Sequence, residues 1–467
     1  MKKLVAVAMA LTIGVSSIFL SSCNIEEQEK EDQVKSQVYE ITENLKSDMK
    51  ESADECKFAS KLKLYCENNK LKAKLVDNNV VVDLNATKGY ENADSNIVVV
   101  EFSKEDYKIS CQQLAMAIAT AKNTDGHGKL RYIFAPKVDG KSIGLNKLDK
   151  SYFNYDNLIN LMDWGKTEIF NGASSTKIYE MKSSIEKSAP NGNKAYKISI
   201  SNLIASDSGD RSEKHTNPIT YISKLLSDAK SAGISLELGE FKTSGSKTQY
   251  PIGAEAVVVI DSGSNTKFEN RLKNDKEEFE DKNRKRDPDA VFSYEETKVP
   301  SSVLNFDDTS NLLALLYTLE DGLFATTEED YEGDILGLST IFRISIDNDT
   351  VEVDVFGRNI DKETEKSMDT TFKMTAKLLD YSFKPVKRYP LWAPSEENKI
   401  IKDGKLKDAM ESNGIDRKVK YTFKENACSI VQNKNKKINL ISIGVNMEEA
   451  QECTLALIQY FKTIEEN

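Results

Sequence analysis

The sequence is poor in histidine, with only His127 and His215 in a chain of 467 residues. Zinc and di-zinc hydrolases spend several imidazoles on their metal ions, because imidazole is a preferred zinc ligand. His127 lies in the turn-like stretch Asp125–Gly128, and His215 lies in a polar stretch of the chain. We expect both histidines to be exposed loop residues. A multi-histidine zinc site of the ordinary kind is therefore not expected.

The chain also lacks an excess of positive charge. It carries 64 Lys and Arg against 75 Asp and Glu, for a formal net charge of −11. A nucleic-acid-binding protein usually presents a basic face to the phosphates, so this balance argues against that class. A hydrophobic content of 39% and a charged content of 30% are typical of a well-solvated globular protein. The length allows two or three domains.

Long apolar runs are absent except at the N-terminus. Lys2 and Lys3 precede the apolar stretch Leu4–Leu20, which ends in Ser21-Ser22-Cys23. A basic start, an apolar core and a small-residue cleavage site are typical of a secretory signal, and the final cysteine resembles the lipobox of bacterial lipoproteins. That resemblance implies a signal peptide over 1–22, a lipidated Cys23 and an anchor on the extracytoplasmic face of the cell membrane. The alternative, a transmembrane anchor, needs a longer and less interrupted run.

Five cysteines remain once Cys23 is lipidated, and an odd number leaves at least one unpaired. Cys56 and Cys66 lie close enough in sequence to form a bridge, but only geometry decides whether they do. No CxxC motif is present, so a structural zinc site is not expected. The polar, acidic stretch 23–33 is predicted to be a solvated tether.

Helix-like and strand-like segments alternate through the first part of the chain. Apolar residues recur at helical spacing from Val34 to Leu45, strand-like runs follow at Val80–Leu84 and Ile97–Phe102, and Leu114–Ala119 is an apolar helical stretch. Such alternation predicts an α/β fold with a mostly parallel sheet. The pattern changes to α+β near residue 194 and returns to α/β near residue 385. We predict a discontinuous α/β domain over 34–193 and 385–467, with an inserted α+β domain over 194–384.

Short motifs occur in a particular order, namely Thr87–Ala93, Leu114–Ala119, Ile159–Leu161, Ala254–Val258, Tyr389–Trp392, Cys428–Ile430 and Ile441–Gly444. In that order they resemble motifs of the M20 metallopeptidases, nearest to the aminoacyl-histidine dipeptidases. Thr-Lys-Gly-Tyr-Glu-Asn-Ala, for example, is similar to the family's T-P-G-Y-E-N-A. The resemblance implies an M20-like α/β domain with an inserted α+β lid. It also implies two zinc ions bridged by an aspartate and a hydroxide, with a glutamate as general base.

The residues that would perform this chemistry are replaced at the matching positions. The family's H-x-D corresponds to Phe102-Ser103-Lys104, its bridging Asp to Ile109, its D-E-E to Lys137-Val138-Asp139, the Asp of I-N-L-D to Met162, and the lid histidine to Asp207. The family's C-terminal H-S-P-D-E loop has no counterpart before Met447. Lys104 and Lys137 would repel zinc at these positions. We therefore predict degenerate metal and catalytic positions, with no metal bound.

One binding feature of the family has a counterpart in the inserted domain. The strand Val351–Phe356 leads into Gly357-Arg358, which is similar to the lid strand whose arginine holds the substrate carboxylate. A guanidinium suits bidentate carboxylate binding, so Arg358 is a possible carboxylate contact. The alternative is a surface arginine in an incidental ion pair.

Three functions are consistent with these patterns. The favoured one is a lipid-anchored protein that has lost catalysis and binds a peptide or protein in the interdomain cleft. The alternative is an active metal-dependent dipeptidase or aminopeptidase with displaced ligands, using zinc, or magnesium, manganese or calcium if only carboxylates take part. That alternative needs Glu101, Asp106, Asp139 or Asp163 to converge with a histidine. A third is an anchored binding protein that serves an uptake system.

Overall fold

A computed structural model describes residues 28–204, 216–245, 250–327, 334–347, 349–395 and 397–462. The chain forms two compact units. The first unit contains the described residues up to Asn171, Ser395–Lys420, and those from Asn426 onward. The second unit contains Gly172–Pro394 and Tyr421–Glu425. The units thus divide the chain near 172 and 394, whereas the sequence pattern placed the boundaries at 194 and 384.

The described strands follow one another along the chain as β1 (Ala73–Val76), β2 (Asn79–Leu84), β3 (Asn96–Phe102), β4 (Leu130–Val138), β5 (Lys141–Ser142), β6 (Asn157–Asp163), β7 (Glu168–Ala173), β8 (Ser175–Ser184), β9 (Lys187–Ser188), β10 (Lys194–Ser201), β11 (Leu236–Ser244), β12 (Gly253–Ile260), β13 (Val291–Thr297), β14 (Val303–Leu304), β15 (Gly322–Thr326), β16 (Ile335–Ile346), β17 (Thr350–Asn359), β18 (Ser382–Tyr389), β19 (Val419–Thr422) and β20 (Asn439–Val445).

The described helices are α1 (residues 28–51), α2 (Glu55–Asn68), α3 (Tyr107–Asn123), α4 (Pro218–Ser231), α5 (Asn265–Asn283), α6 (Phe306–Thr318), α7 (Lys362–Leu378), α8 (Lys399–Lys402), α9 (Lys405–Ser412), α10 (Ala427–Lys434) and α11 (Ala450–Lys462). Short 3₁₀ helices lie at Lys150–Phe153, Ser262–Ser264 and Met447–Glu449. No helix among these combines the length and the apolar character needed to cross a bilayer.

The first unit is built on a sheet with the strand order β1-β2-β4-β3-β6-β20-β7-β19. Its four central strands, β4, β3, β6 and β20, are parallel, and the flanking pairs β1–β2, β2–β4 and β20–β7 are antiparallel. The central strands are apolar runs because both faces of a parallel sheet are covered. Helices α1, α2, α3, α9 and α11 supply the core on one face. The predicted α/β fold is confirmed, but the sheet is parallel only at its centre, whereas a mostly parallel sheet was expected.

Helix α1 extends further toward the N-terminus than the sequence pattern suggested. Residues 28–33, which were assigned to the acidic tether, are already helical and exposed. Their Gln, Glu and Lys side chains are good helix formers, and they precede the buried Val34 without a break. The first buried turn of α1 therefore continues directly from the charged segment.

The second unit is an antiparallel sheet with the strand order β13-β10-β12-β11-β16-β17-β8-β18. Helices α4 to α7 bury their apolar sides against one face of it. Helix α5 is strongly charged, and it buries Phe268, Leu272 and Phe279, which recur along one side of it. Alternation of apolar and polar residues along each strand explains why the opposite face is polar.

A ladder of opposite charges crosses this polar face. Arg343 of β16 donates to Glu352 at 2.5 Å and to Asp354 at 3.1 Å, both on β17. Lys182 of β8 pairs with Glu352 at 2.7 Å. Asp354 is only 4% exposed. Burial, with the nearby Glu352, raises the pKa of the Asp354 carboxyl from 3.8 to about 6, although Arg343 opposes the shift.

We expect Asp354 to make the protein less stable as the pH rises. Because its pKa in the folded state lies above its ordinary value, its contribution is complete below about pH 4 and is lost as the pH rises through 6. Between pH 4 and pH 7 the loss should be about 2 kcal/mol. Urea unfolding at several pH values should show this loss in the wild type and not in Asp354→Asn. Asp281→Asn, at an exposed helical position, is the control, and it should keep the loss of stability with rising pH. If Asp354→Asn shows the same dependence of unfolding free energy on pH as Asp281→Asn, the prediction is contradicted.

Candidate functional site

The four parallel strands of the first unit end at one edge of the sheet, which we call the carboxyl edge. In register, Phe102 of β3 pairs with Pro136 of β4, and Met162 of β6 pairs with Gly444 of β20. Ile109 follows in the first turn of α3, immediately after β3. Active sites of α/β sheets lie at this kind of edge. The positions that the sequence comparison singled out in this unit are therefore brought to one end of the sheet.

Phe102 is part of the hydrophobic core. Its side chain has no exposed surface, and its ring meets the Phe58 ring of α2 edge-on at a centroid distance of 5.3 Å. The contact belongs to the same core that holds α1 and α3 against the sheet. An aromatic ring in this position contributes burial and supplies no metal ligand.

Lys104 joins the loop after β3 to the end of α1. Its Nζ donates to the carbonyl oxygen of Ser52, just beyond the last turn of α1. Its backbone N–H donates to Glu55 Oε1 at 2.9 Å. A cation at a helix C-terminus interacts favourably with the unpaired carbonyls and the helix dipole. The structure thus gives this lysine a structural role that sequence reasoning missed.

Asp139 lies at the tip of a tight hairpin. Lys137 pairs with Ser142 and Val138 with Lys141, so Asp139 and Gly140 form a two-residue turn between β4 and β5. Both turn residues have positive φ, 47° for Asp139 and 66° for Gly140. These are the conditions of a type I′ turn, for which Asp-Gly is a favoured sequence. The dipeptide was the signal that could have identified the turn from sequence.

The backbone conformation of Asp139 leads to a test of its role. Asp139→Asn should change the free energy of unfolding by less than about 0.5 kcal/mol, because Asn also adopts the left-handed conformation. Asp139→Val should lower it by about 1–2 kcal/mol, because a β-branched residue is strained there. Urea unfolding measures both, with Lys141→Val as the control for adding valine to the hairpin. If Asn is as damaging as Val, the position requires a carboxylate and not a turn former.

The carboxylates near this edge do not form a ligand set. Partial desolvation of its carboxyl group raises the pKa of Glu105, and the neighbouring charges of Asp139 and Asp106 add to the effect while Lys137 opposes it. Glu105, Asp106 and Asp139 are exposed. Within the described ranges, no group of three or more His, Cys, Asp and Glu residues is arranged to hold a metal ion. The residues at the carboxyl edge therefore do not fit the two zinc ions that the family resemblance implied.

Met162 adjoins a network of neutral polar groups. Asn426 Nδ2 donates to Met162 Sδ at 3.2 Å, and its Oδ1 accepts from Cys428 N–H at the start of α10. Asn160 Nδ2 donates to Asn426 Oδ1 at 3.3 Å and to Ser442 Oγ at 2.9 Å. This amide and hydroxyl network was not found from sequence. Asn160 and Ser442, polar residues inside apolar strands, were the available signal.

His127 lies at the opposite edge of the sheet. Its loop immediately precedes β4, and Lys129 in that loop accepts a hydrogen bond from Asn96, the first residue of β3. The prediction of an exposed loop histidine is wrong, because His127 is 8% exposed and its Nδ1 lies 2.6 Å from the carbonyl oxygen of Gly128. Gly126, the neighbouring residue in this loop, lies against the Tyr90 ring. His215 lies outside the described residues, as does Asp207.

The described cysteines are free thiols, which settles the question left open for Cys56 and Cys66. Both residues belong to α2, ten residues apart. Ten residues of α-helix span about 15 Å, which is far beyond the reach of a disulfide. Burial raises the pKa of the Cys66 thiol to about 12.

Arg358 of the second unit is buried, so the alternative of a surface arginine does not apply. It lies on β17, is 3% exposed, and its guanidinium carbon lies 4.3 Å from the centre of the Phe356 ring. Arg388 of β18 approaches the same ring at 5.9 Å, and its Nε donates to Glu425 at 2.8 Å. Two guanidinium groups and one carboxylate therefore meet around a single aromatic ring.

The two units together have the fold of the M20 peptidases. The structure is similar to that of an aminoacylhistidine dipeptidase from Vibrio alginolyticus, with a TM-score of 0.67, 17% sequence identity, and 89% of this chain matched to 94% of that one. Aminopeptidase PepT from Bacillus cereus matches with a TM-score of 0.46, 11% identity, and coverage of 91% of this chain and 98% of that one. The Bacillus subtilis YXEP protein, a dinuclear metal binding peptidase from the M20 family, matches with a TM-score of 0.41, 12% identity and coverage of 92% and 97%.

No protein-family model matches the sequence, and no curated protein sequence does so. At 17% identity, the similarity to the dipeptidase establishes the fold and not the chemistry.

Proposed function

We propose that this protein is a lipid-anchored extracytoplasmic protein that uses an M20-type fold to bind a peptide or another protein, without metal-dependent hydrolysis. The observation that carries the proposal is the carboxyl edge. The positions of the metal ligands and the general base are occupied there by a core phenylalanine, a lysine at a helix end and a hairpin turn. None of these arrangements can activate a water molecule through a metal ion.

The membrane part of the proposal depends on the N-terminal sequence alone. Residues 1–27 lie outside the described part of the structure, and the lipobox-like Cys23 is among them. Lipidation of Cys23 would hold the protein on the outer face of the cell membrane. Its membrane attachment would then depend on a single residue.

Arg358 is the residue we propose to contact the ligand. A buried guanidinium stacked on an aromatic ring is held in one orientation, which favours bidentate recognition of a carboxylate. A peptide C-terminus carries such a carboxylate. The second unit would then contribute recognition, while the carboxyl edge of the first unit would be structural.

The loss of hydrolysis is tested on the purified mature protein. We expect no stoichiometric zinc, manganese or cobalt by inductively coupled plasma mass spectrometry. We also expect no cleavage of a dipeptide panel, Xaa-His dipeptides included, with each metal added. Stoichiometric metal together with cleavage would overturn the proposal in favour of an active dipeptidase with displaced ligands.

Peptide binding is tested by thermal-shift screening of a peptide library. We expect the melting temperature to rise with some peptides, and the rise to disappear when the peptide C-terminus is amidated. The rise should also be lost in Arg358→Gln and retained in Arg284→Gln, which changes an exposed arginine next to α5. Each variant is compared with its own ligand-free melting temperature, so a general loss of stability does not count as a loss of binding. No shift with any peptide would contradict the peptide-binding role.

A further inference from the structure

The folded first unit begins very close to the proposed lipid attachment point. Helix α1 is formed at residue 28, and Cys23 is five residues earlier. Even a fully extended chain covers at most about 18 Å over five residues. A lipidated Cys23 would therefore keep the start of α1 within that distance of the lipid headgroups.

Helix α1 is an integral part of the first unit. Val38, Ile41, Leu45 and Met49 recur at helical spacing, and all four are buried in its hydrophobic core. The helix therefore has no freedom to swing away from the sheet without exposing this apolar side. A tether that holds the start of α1 near the lipid headgroups therefore restricts the position of the whole first unit.

Polar contacts hold the start of the helix in place. Lys35 pairs with Glu452 of α11 at 3.4 Å, and Gln451 Nε2 donates to the Lys35 carbonyl oxygen at 3.5 Å. Asn123, the last residue of α3, donates to Gln37 Oε1 at 2.9 Å. The far end of α1 is held by Lys104, as described above.

The sheet separates this helix from the opposite side of the unit. Helices α1, α2, α3 and α11 share one core with the sheet. Along β6, Asn160 alternates with Ile159 and Leu161, which belong to that core, so Asn160 points to the opposite face. Helix α10 lies on this opposite face, because its capping Asn426 accepts a hydrogen bond from Asn160, and α10 packs on the 3₁₀ helix Lys150–Phe153. A residue such as Lys150 is thus shielded from the start of α1 by a helix layer and by the sheet, each about 10 Å thick.

We propose that the anchor fixes the orientation of the first unit, with the side formed by the start of α1 and α11 facing the lipid bilayer and the side formed by α10 and the 3₁₀ helix facing away. This inference rests on the proposed lipidation of Cys23. The exposed start of α1 carries Glu29, Glu31 and Asp32 against a single Lys30. An acidic surface is repelled by anionic lipids, so we expect this orientation on a zwitterionic bilayer.

The test uses the full-length lipidated protein in zwitterionic vesicles that contain a small fraction of nickel-chelating lipid. Nitroxide labels are attached to Lys30→Cys or Lys150→Cys, both exposed positions, in a Cys56→Ser background because Cys56 is the least buried of the described native thiols. Power-saturation electron paramagnetic resonance measures how strongly the nickel relaxes each label. We expect relaxation at residue 30 to be at least threefold greater than at residue 150.

A second protein with 20 Gly and Ser residues inserted after Ile25 provides the matched control. Such a linker reaches about 25 Å on average, so it should remove most of the difference between the two labels. Equal relaxation without the insertion, in protein that floats with the vesicles, would overturn the orientation and leave the anchor intact. A difference that survives the insertion would overturn it too, since the tether would not be its cause. Protein that carries no lipid and does not float would overturn both the anchor and the orientation.

Discussion

Replacing Phe102 by histidine should lower the free energy of unfolding of the first unit by about 3 kcal/mol and should not create a zinc site. The position is the one that the family resemblance matches to a metal-binding histidine. Here, however, the side chain is wholly buried and packs edge-on against Phe58. An imidazole in this place would lose part of the aromatic contact and would bury polar nitrogens. One added imidazole would not complete a zinc site by itself, because the described ranges hold no group of three or more His, Cys, Asp and Glu residues placed to bind a metal ion.

The measurement is urea unfolding followed by tryptophan fluorescence. The chain has two tryptophans, Trp164 in the first unit and Trp392 in the second. A Trp392→Phe background therefore lets Trp164 report on the first unit alone. Phe102→Leu is the control, and it should cost less because it stays apolar. A Phe102→His protein with unchanged stability and one bound zinc ion would show that this edge is still a metal site.

The substitution Glu425→Gln should destabilise the second unit by about 3 kcal/mol. Glu425 accepts a hydrogen bond from Arg388 at 2.8 Å, and the two side chains are 9% and 3% exposed. Thr176 Oγ1 also lies 3.5 Å from the same carboxylate oxygen. Removing the negative charge leaves the guanidinium in a site with little access to water, and that desolvation is the main cost.

The double variant Arg388→Met with Glu425→Leu distinguishes the cost of an unpaired buried charge from the cost of lost packing. It should recover most of the stability, because replacing both partners removes the buried charges together. Unfolding is followed by Trp392 in a Trp164→Phe background, so that the signal comes from the second unit. If Glu425→Gln and the double variant are equally damaging, the loss comes from packing around Phe356 and not from the charge pair.

Much of the fold could be predicted from sequence because its signals are periodic. The runs Val80–Leu84 and Ile97–Phe102 predicted the strands β2 and β3, and the apolar stretch Leu114–Ala119 predicted a helix, which is part of α3. The charged helix α5 has the same kind of signal, with three buried apolar residues spaced along one side. Local hydrophobic patterns identify such elements because burial on one side or on both sides leaves a characteristic spacing.

The candidate site was harder to predict because the roles of its residues are set by partners distant in sequence. Lys104 was expected to repel a metal ion, yet its contacts with Ser52 and Glu55 join the end of α1 to the loop after β3. His127 was expected to be exposed, yet the loop that holds it is buried. For Asp139 the local Asp-Gly signal existed, and its hairpin role depends on the pairing of β4 with β5.

The sequence by itself determined the amphipathic elements, the order of the motifs and the residue types at the positions that the family resemblance matches to metal ligands. These are properties of residue type and spacing. The tertiary structure alone decided what the substituting residues do, and which carboxylates lie together and which lie apart. It also decided that Arg358 is buried beside Phe356, and that α1 is packed into the first unit from its first apolar turn. The reason is that burial and charge pairing depend on residues far apart in the chain, and folding alone brings them together.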